Sequence, residues 1–205
     1  MFAPSSFGKP MGREPHSVLK TAPTVYPVAL DEAERCRRIT DSAEQLGLAE
    51  RIAAATLFVE RAAGQICLCT QTWTDLRTRF QSRMSFGRRP AASVTEVRYY
   101  DTDGTSQTVA SSYWTTEFRT FFGYIELAAS QSWPSIGGDR YYKVEIDYTV
   151  GFGGTADVPG NYKQAVLYLV GHYDEHREHI ITGTIQSEIG DTVRAIVGQE
   201  EAFTF

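Results

Sequence analysis

The sequence has no long apolar run, and this absence excludes the simplest membrane classes. A membrane-spanning helix needs about 20 mainly apolar residues, and no stretch of the 205 residues approaches that length. The N-terminal segment MFAPSSFGKPMGREPHSVLK also lacks the apolar core of a secretory signal. We therefore expect no membrane partner, and we expect synthesis in the cytoplasm.

Cysteine is scarce as well. The chain has three, Cys36, Cys67 and Cys69, an odd number that cannot pair completely. On a strand, Cys67 and Cys69 would share a face without being well placed to form a disulfide. Reduced thiols are the simplest interpretation. A zinc site made from Cys67, Cys69 and histidines is the alternative, although a C-x₂₋₄-C spacing is missing.

Motifs for catalysis are also lacking. We find no nucleophile elbow, no CxxC and no paired serine and histidine in a recognisable context. The sequence GFGG at 151–154 stands between a predicted strand and a predicted helix, where phosphate loops occur, yet it matches neither phosphate-binding fingerprint. The net charge of −5 argues against a general nucleic-acid coat. Nothing in the sequence requires an enzyme or a cofactor.

Apolar residues do repeat at helical spacing in the first and last thirds of the chain. Asp31 with Glu34, and Asp41 with Glu44, are variants of the capping box that begins helices, and Gly64 is a plausible stop. The predicted helices lie near residues 31–39, 42–63, 159–180 and 190–198.

Between about 66 and 150 the apolar spacing changes to the alternation of β-strands. Asp103 and Gly104 predict a hairpin turn with Gly104 at positive φ. The predicted strands are 67–77, 93–100, 105–110, 112–118, 122–128 and 141–150. The fold class is therefore α+β, a helical scaffold with an inserted antiparallel β-subdomain.

The same pattern predicts the domain organisation. Residues 1–20 are rich in proline, glycine and serine and indicate a flexible N-terminal arm. One domain follows over 21–198, with its β-insertion at about 66–150, and 199–205 form a short C-terminal tail.

Three of the four histidines fall within GHYDEHREH, at His172, His176 and His179. Helical geometry places them in one row beside the apolar stripe of the helix, at the border of core and solvent. A charged helix face explains this row. The rival is a metal-dependent hydrolase with His172 and His176 as ligands and Glu175 as base, although the zincin order H-E-x-x-H is absent.

The segment RTRFQSRMSFGRR carries five arginines and no acid. Uncompensated arginine can meet phosphate or a partner's acidic surface, whereas a solvated loop or protected strand edge is the alternative. We favour contact with a partner over contact with DNA. The arginines are Arg77, Arg79, Arg83, Arg88 and Arg89.

Taken in order, the segments resemble a known family. They are PVALDEAERCRRI, a long helix leading to TQTW, RRPAASVTEVRYYDTDGTSQTV, SQSWP, a strand ending VGFG, and DVPGNYKQAVLYLVGHYDEHRE. In this order they resemble the head–tail adaptor (connector) proteins of long-tailed bacteriophages and gene transfer agents, over about residues 21–198.

The resemblance implies a structural protein of the virion neck, assembled in the cytoplasm of a bacterial host. Such adaptors form a ring, typically of twelve copies, beneath the portal protein ring. The ring extends the channel for double-stranded DNA, without sequence-specific contacts, and docks the stopper or head-completion protein. Helices form the ring scaffold in this family.

By position, the family's portal-contacting role falls here on residues 188–205. A short tail with alternating aromatics could add a strand to a partner's sheet or fill its pockets. The tail residues concerned are Ala202, Phe203, Thr204 and Phe205. His172, His176 and His179 would then lie near a subunit boundary, where protonation could tune assembly. The alternatives that stay open are the metal hydrolase and another neck component such as the stopper.

Overall fold

A computed structural model describes residues 15–37, 47–119, 123–175 and 183–198, without the side chains of 37 and 183–189. Along these residues one strand precedes two helices, seven strands follow, and two helices come last. The helices are α1 (Leu30–Arg37), α2 (Leu48–Ala62), α3 (Gly160–Glu175) and α4 (Gly183–Val197). The strands are β1 (His16–Thr21), β2 (Gln71–Arg77), β3 (Arg83–Ser85), β4 (Ala91–Tyr100), β5 (Ser106–Thr108), β6 (Trp114–Phe118), β7 (Gly123–Leu127) and β8 (Val144–Val150).

The helices pack on one another around an apolar core. On α2 the buried residues include Leu48, Ile52 and Val59, which helical geometry places on one face. That face packs on α3, and α3 also contacts α1 and α4. We call this cluster the helical core. It comprises Val28, Ala33, Leu48, Ile52, Ala55, Val59, Ala63, Ile66, Leu68, Cys69, Val158, Tyr162, Ala165, Val166, Leu169, Val170, Val193 and Val197.

The strands form two antiparallel sheets. The larger sheet has the order β1-β2-β8-β4-β5, and the smaller has the order β3-β7-β6. Inward-facing residues of both sheets form a second cluster, which we call the sheet core. It comprises Cys67, Met84, Ala91, Val97, Val109, Ile125, Val144, Ile146, Tyr148 and Val150.

Residues 66–69 connect the two cores because their side chains are divided between them. Ile66, Leu68 and Cys69 belong to the helical core, whereas Cys67 belongs to the sheet core. The carboxylate of Glu60 on α2 strengthens this junction, since its Oε1 accepts hydrogen bonds from the Leu68 N–H at 2.8 Å and the Gln71 Nε2 at 3.0 Å.

The mixed α+β class is confirmed, and so is the hairpin after β4. Gly104 has φ 78°, and the Asp101 carboxylate accepts hydrogen bonds from the N–H groups of Asp103 and Thr105 at 3.0 and 2.9 Å. These bonds close the turn, so that Tyr100 pairs with Ser106. In the part of the chain that the structure describes, no helix is long and apolar enough to cross a membrane.

Several predicted helix bounds are corrected. Of the helix predicted over 42–63, residues 42–46 lie outside the described residues, and α2 begins at Leu48, directly after Gly47 with its φ of 82°. The helix predicted near 190–198 starts earlier, at Gly183. The helix predicted over 159–180 is described as far as Glu175, and the rest of it lies in 176–182, outside the described residues.

The N-terminal prediction and the notion of a single β-insertion also need correction. His16–Thr21, assigned by sequence to the flexible arm, forms strand β1 at the edge of the larger sheet. The β-structure is therefore not one continuous insertion, since β1 precedes the helices. The short strand β3 was missed as well, within the arginine-rich segment. Both strands are pinned by residues far along the chain, which local sequence cannot reveal.

Candidate functional site

The histidine-rich segment ends helix α3. His172 is half-buried, at the border of core and solvent where sequence placed it. It lines a groove together with Cys36 and residues of α3 between Gln164 and Glu175. His176 and His179 lie outside the described residues, so the predicted row of three is not tested.

One acid of this segment, Asp174, has a structural partner on another helix. Asp174, with a nearly buried side chain, forms an ion pair with Arg51 of α2, Nε to Oδ1 at 3.0 Å. This contact fixes α3 to α2. Among the residues with described positions, no group of three or more histidine, cysteine, aspartate or glutamate side chains could hold a metal ion. No described feature favours the metal-hydrolase alternative with His172, His176 and Glu175.

The zinc alternative at Cys67 and Cys69 does not fit the structure. The two thiols belong to different cores, Cys67 to the sheet core and Cys69 to the helical core, so they do not share a face as they would on a regular strand. Burial, with a smaller effect of the Glu60 charge, raises the pKa of Cys69 to about 11, and the same causes raise the pKa of Cys67 further. Thiols that face different cores are not placed to bind one metal ion together.

The five arginines of the basic segment do not form one patch. Arg77 is largely buried on β2, where it donates to the Ser85 carbonyl and lies 3.8 Å from the Asp75 carboxylate. Burial lowers its pKa, against the opposing effect of Asp75. Arg83 pairs with Glu126 of β7 at 2.9 Å and stacks over the Tyr124 ring. An acid on the same strand therefore lies near Arg77, and an acid on the neighbouring strand β7 compensates the charge of Arg83.

The other three arginines are placed differently. The Arg88 guanidinium lies 4.1 Å above the Trp73 ring, and the Arg89 Nη2 donates to the Gly64 carbonyl at 3.1 Å. Arg79 is exposed in the loop after β2. Partner contact by these residues stays a prediction.

Sequence reasoning missed two buried aspartates that hold β1 to the sheet. Asp75 on β2 is fully buried. Its Oδ1 accepts hydrogen bonds from the Ser17 hydroxyl at 2.6 Å and the Tyr148 hydroxyl at 2.9 Å, and its Oδ2 accepts from the Gly87 N–H at 2.9 Å. Burial, with the Asp75 charge next, raises the pKa of Tyr148, so this hydroxyl keeps its proton and donates it.

The second aspartate, Asp147 on β8, lies on the opposite face of the larger sheet. Its carboxylate, 1% exposed, is paired with Lys20 of β1 and with Arg98 of β4, the latter at 3.2 Å. The Thr74 hydroxyl donates to it at 2.5 Å. No sequence signal marked Asp75, since β2 reads QTWTDLR and is itself largely polar.

These contacts present β1 as an exposed sheet edge. Among the described strands, β1 is paired with β2 alone. Val18 and Leu19 are 42% and 44% exposed, and the only lysine of the strand is directed to Asp147 instead of guarding the edge. Edge strands of this kind are ready templates for pairing with another chain. The predicted portal-contacting residues Ala202 to Phe205 lie outside the described residues.

Comparison with known proteins gives a consistent result at the level of structure. No protein-family model and no curated protein matches the chain. A chain from the neck of an empty GTA particle, computed with C6 symmetry, is 24% identical, with a TM-score of 0.69 over 82% of this chain and 88% of that chain.

Two further structures agree. A chain from the virion of a native gene transfer agent (GTA) particle is 26% identical, with a TM-score of 0.66 over 80% of this chain and 86% of that one. A chain from the neck of the native particle, computed with C12 symmetry, is 27% identical, with a TM-score of 0.58 over 78% and 85%. The likeness covers most of both chains, so it includes the helical and the β layers together.

Proposed function

We propose that this protein is a structural, non-enzymatic component of the head–tail neck of a tailed phage or gene transfer agent. In this role it is the adaptor, a ring of copies, twelve in the family that the sequence resembles, below the portal ring. The ring extends the channel for double-stranded DNA and docks the stopper or head-completion protein. The observation that carries the proposal is the likeness to a chain of a native gene transfer agent virion, at 26% identity over 80% of this chain, and to a chain of the native particle's neck, at 27% identity over 78% of it.

The architecture suits such a role. A ring needs head-to-tail contacts between two different surfaces of each copy. The larger sheet has two unlike edges, six-residue β1 and three-residue β5. The helical layer, with its own apolar core, would serve as the scaffold of the ring.

The direct test is electron microscopy of the purified chain mixed with portal rings. We expect a second ring of density beneath the portal. A second mixture contains portal rings that already carry another adaptor. Binding only in this second mixture would instead identify a stopper-like neck component. Absence of any added ring in both mixtures would contradict a neck function.

The C-terminal tail carries a finer proposal, that residues 199–205 contact the portal. Deleting them should weaken portal attachment and leave the circular dichroism spectrum and thermal unfolding of the chain unchanged. Portal binding equal to that of the full chain would refute a role for Ala202, Phe203, Thr204 and Phe205.

A second finer proposal concerns the histidines. We propose that His172, His176 and His179 lie near a subunit boundary and tune assembly by protonation. Ring formation, followed by light scattering, should then change between about pH 5.5 and 8, near the ordinary pKa of histidine. A ring yield that does not vary over this range would dispose of the idea.

A further inference from the structure

A concave cleft of about 590 Å³ opens where the start of β1, the turn after α2 and the loop between β3 and β4 meet. Its lining residues are 15–17, 64–65 and 85–89, and they include Arg88, Arg89 and His16 but no acidic residue. The cleft is therefore positively charged and open to a ligand.

The loop that carries the two arginines is held rigidly. The Gly87 N–H donates to the buried Asp75 carboxylate, and the Arg88 N–H donates to the Tyr148 hydroxyl at 3.0 Å. A side chain at position 87 has no space, since a Cβ there would come within 2.2 Å of the Ser17 Oγ. Such preorganisation lowers the entropic cost of binding.

Arg88 is prepared for an anion. Its guanidinium is stacked on Trp73, which fixes its plane, and its buried Nε forms no hydrogen bond among the described residues. The neighbouring acid, Glu60, interacts electrostatically with Arg88. Its Oε1, however, already accepts two hydrogen bonds from Leu68 and Gln71.

We propose that this cleft binds an acidic segment of a neighbouring protein, with the guanidinium groups of Arg88 and Arg89 receiving its carboxylates. A planar guanidinium binds carboxylate through paired hydrogen bonds. The identity of the neighbour as a neck protein rests on the proposed function, whereas binding of carboxylate in the cleft does not.

Protein carboxylate fits this place better than the phosphate of DNA. The chain carries a net charge of −5, which opposes approach of a duplex. A duplex is also a stiff convex cylinder, whereas a flexible side chain can extend into a concave cleft.

The test is titration of the full chain with a blocked tetraglutamate peptide, followed by tryptophan fluorescence and calorimetry. We expect saturable binding that weakens in high salt and is absent with tetraglutamine. Arg88→Gln should weaken it about tenfold, the order expected for losing one charged hydrogen-bonding partner. Arg89→Gln, which leaves the Trp73 stack in place, should also weaken it and serves if Arg88→Gln does not fold.

Arg140→Gln is the matched control, since Arg140 also stacks on an aromatic ring, Tyr100 at 4.2 Å, but does not line the cleft. Equal loss in this variant, or no saturable binding by the unaltered chain, would overturn the proposal. Tighter binding of a short DNA duplex at the same arginines would overturn it in favour of phosphate.

The chain's own Glu14, next to Pro15 in sequence, is a competing occupant. Peptide binding that appears only after Glu14→Gln would make the cleft an internal site and overturn the proposal. Rings that form below the portal without peptide binding would contradict this proposal alone. Peptide binding without rings would contradict the neck function alone.

Discussion

The helical core and the sheet core of this protein are stabilised in different ways. The helical core is almost wholly apolar, and its buried Thr56 is satisfied locally, by donating to the Ile52 carbonyl one turn earlier at 2.7 Å. The strands beside the sheet core depend on Asp75 and Asp147, whose partners lie far away along the chain. Packing therefore decides one layer, and long-range polar contacts decide how the other is assembled.

Truncation within the helical core should have the largest effect. Leu169 on α3 is fully buried, so Leu169→Ala removes apolar contacts and leaves a cavity. We expect a loss of about 2–5 kcal/mol in the free energy of unfolding, measured by denaturant titration. Leu57→Ala, at a residue 48% exposed on α2, is the control. Similar losses in both variants would mean that the helical layer is not stabilised by packing of this core.

The second largest loss of stability should follow from removing the buried charge of Asp147 on β8. Asp147→Asn keeps the shape of the side chain but leaves Arg98 and Lys20 without their buried counter-charge. We expect a loss of about 2 kcal/mol, less than for a fully buried pair because Lys20 is 45% exposed. Hydrogen exchange should rise in β1 more than in the helices.

A matched exposed pair sharpens that measurement. Glu117 and Arg119 form an ion pair at 3.0 Å with exposed side chains, so Glu117→Gln should change the free energy of unfolding by less than about 1 kcal/mol. If Glu117→Gln lowers the free energy of unfolding as much as Asp147→Asn does, then burial of Asp147 does not explain why its ion pairs stabilise the fold.

A smaller effect should follow from loosening β1 on its other face. Ser17→Ala removes the hydroxyl that donates to Asp75 at 2.6 Å, and we expect a loss of about 1 kcal/mol. Amide exchange should accelerate in β1, with α2 and α3 unaffected. Ser106→Ala on the short edge β5 is the control, and unchanged protection of β1 in Ser17→Ala would show that this bond does not hold the strand.

The smallest effect should appear at the junction of the layers and depend on pH. Burial raises the pKa of Glu60 above its ordinary value of 4.5, against opposing hydrogen bonds from Leu68 and Gln71. The stability linked to this proton is complete below the ordinary pKa and is lost as pH rises through the raised one. Glu60→Gln does not titrate and keeps the accepting Oε1.

Relative to the unaltered chain, Glu60→Gln should therefore gain stability as pH rises above about 4.5 and show no trend below it. Thermal or denaturant unfolding at several pH values measures the difference. A difference that falls with rising pH, or does not vary, would show that burial does not control this carboxyl.

Much of the fold followed from sequence patterns. The apolar stripe of α3, the alternation of β8 and the Asp103-Gly104 turn predicted their elements because each depends on residues within a few positions of one another. The start of α2 after Gly47 was missed because the sequence at Asp41 and Glu44 matches a helix-start pattern. The glycine six residues after Asp41 was not interpreted as a break.

The surface features were harder to predict. The five arginines form one basic stretch in the sequence, but in the structure four of them contact Asp75, Glu126, Trp73 and the Gly64 carbonyl, and Arg79 is exposed. Only the tertiary structure brings Arg88 and Arg89 to a cleft with His16, which is more than 70 residues away in sequence.

By itself, the sequence determined the α+β class, the helical faces and the order of segments that resembles neck adaptors. The tertiary structure alone decided that His16–Thr21 is an edge strand, that two aspartates hold it, and that the basic residues separate. The physical reason is range. Helical periodicity and turns are set by neighbours in sequence, whereas the contacts of β1 join residues 58 and 127 positions apart, which no local pattern specifies.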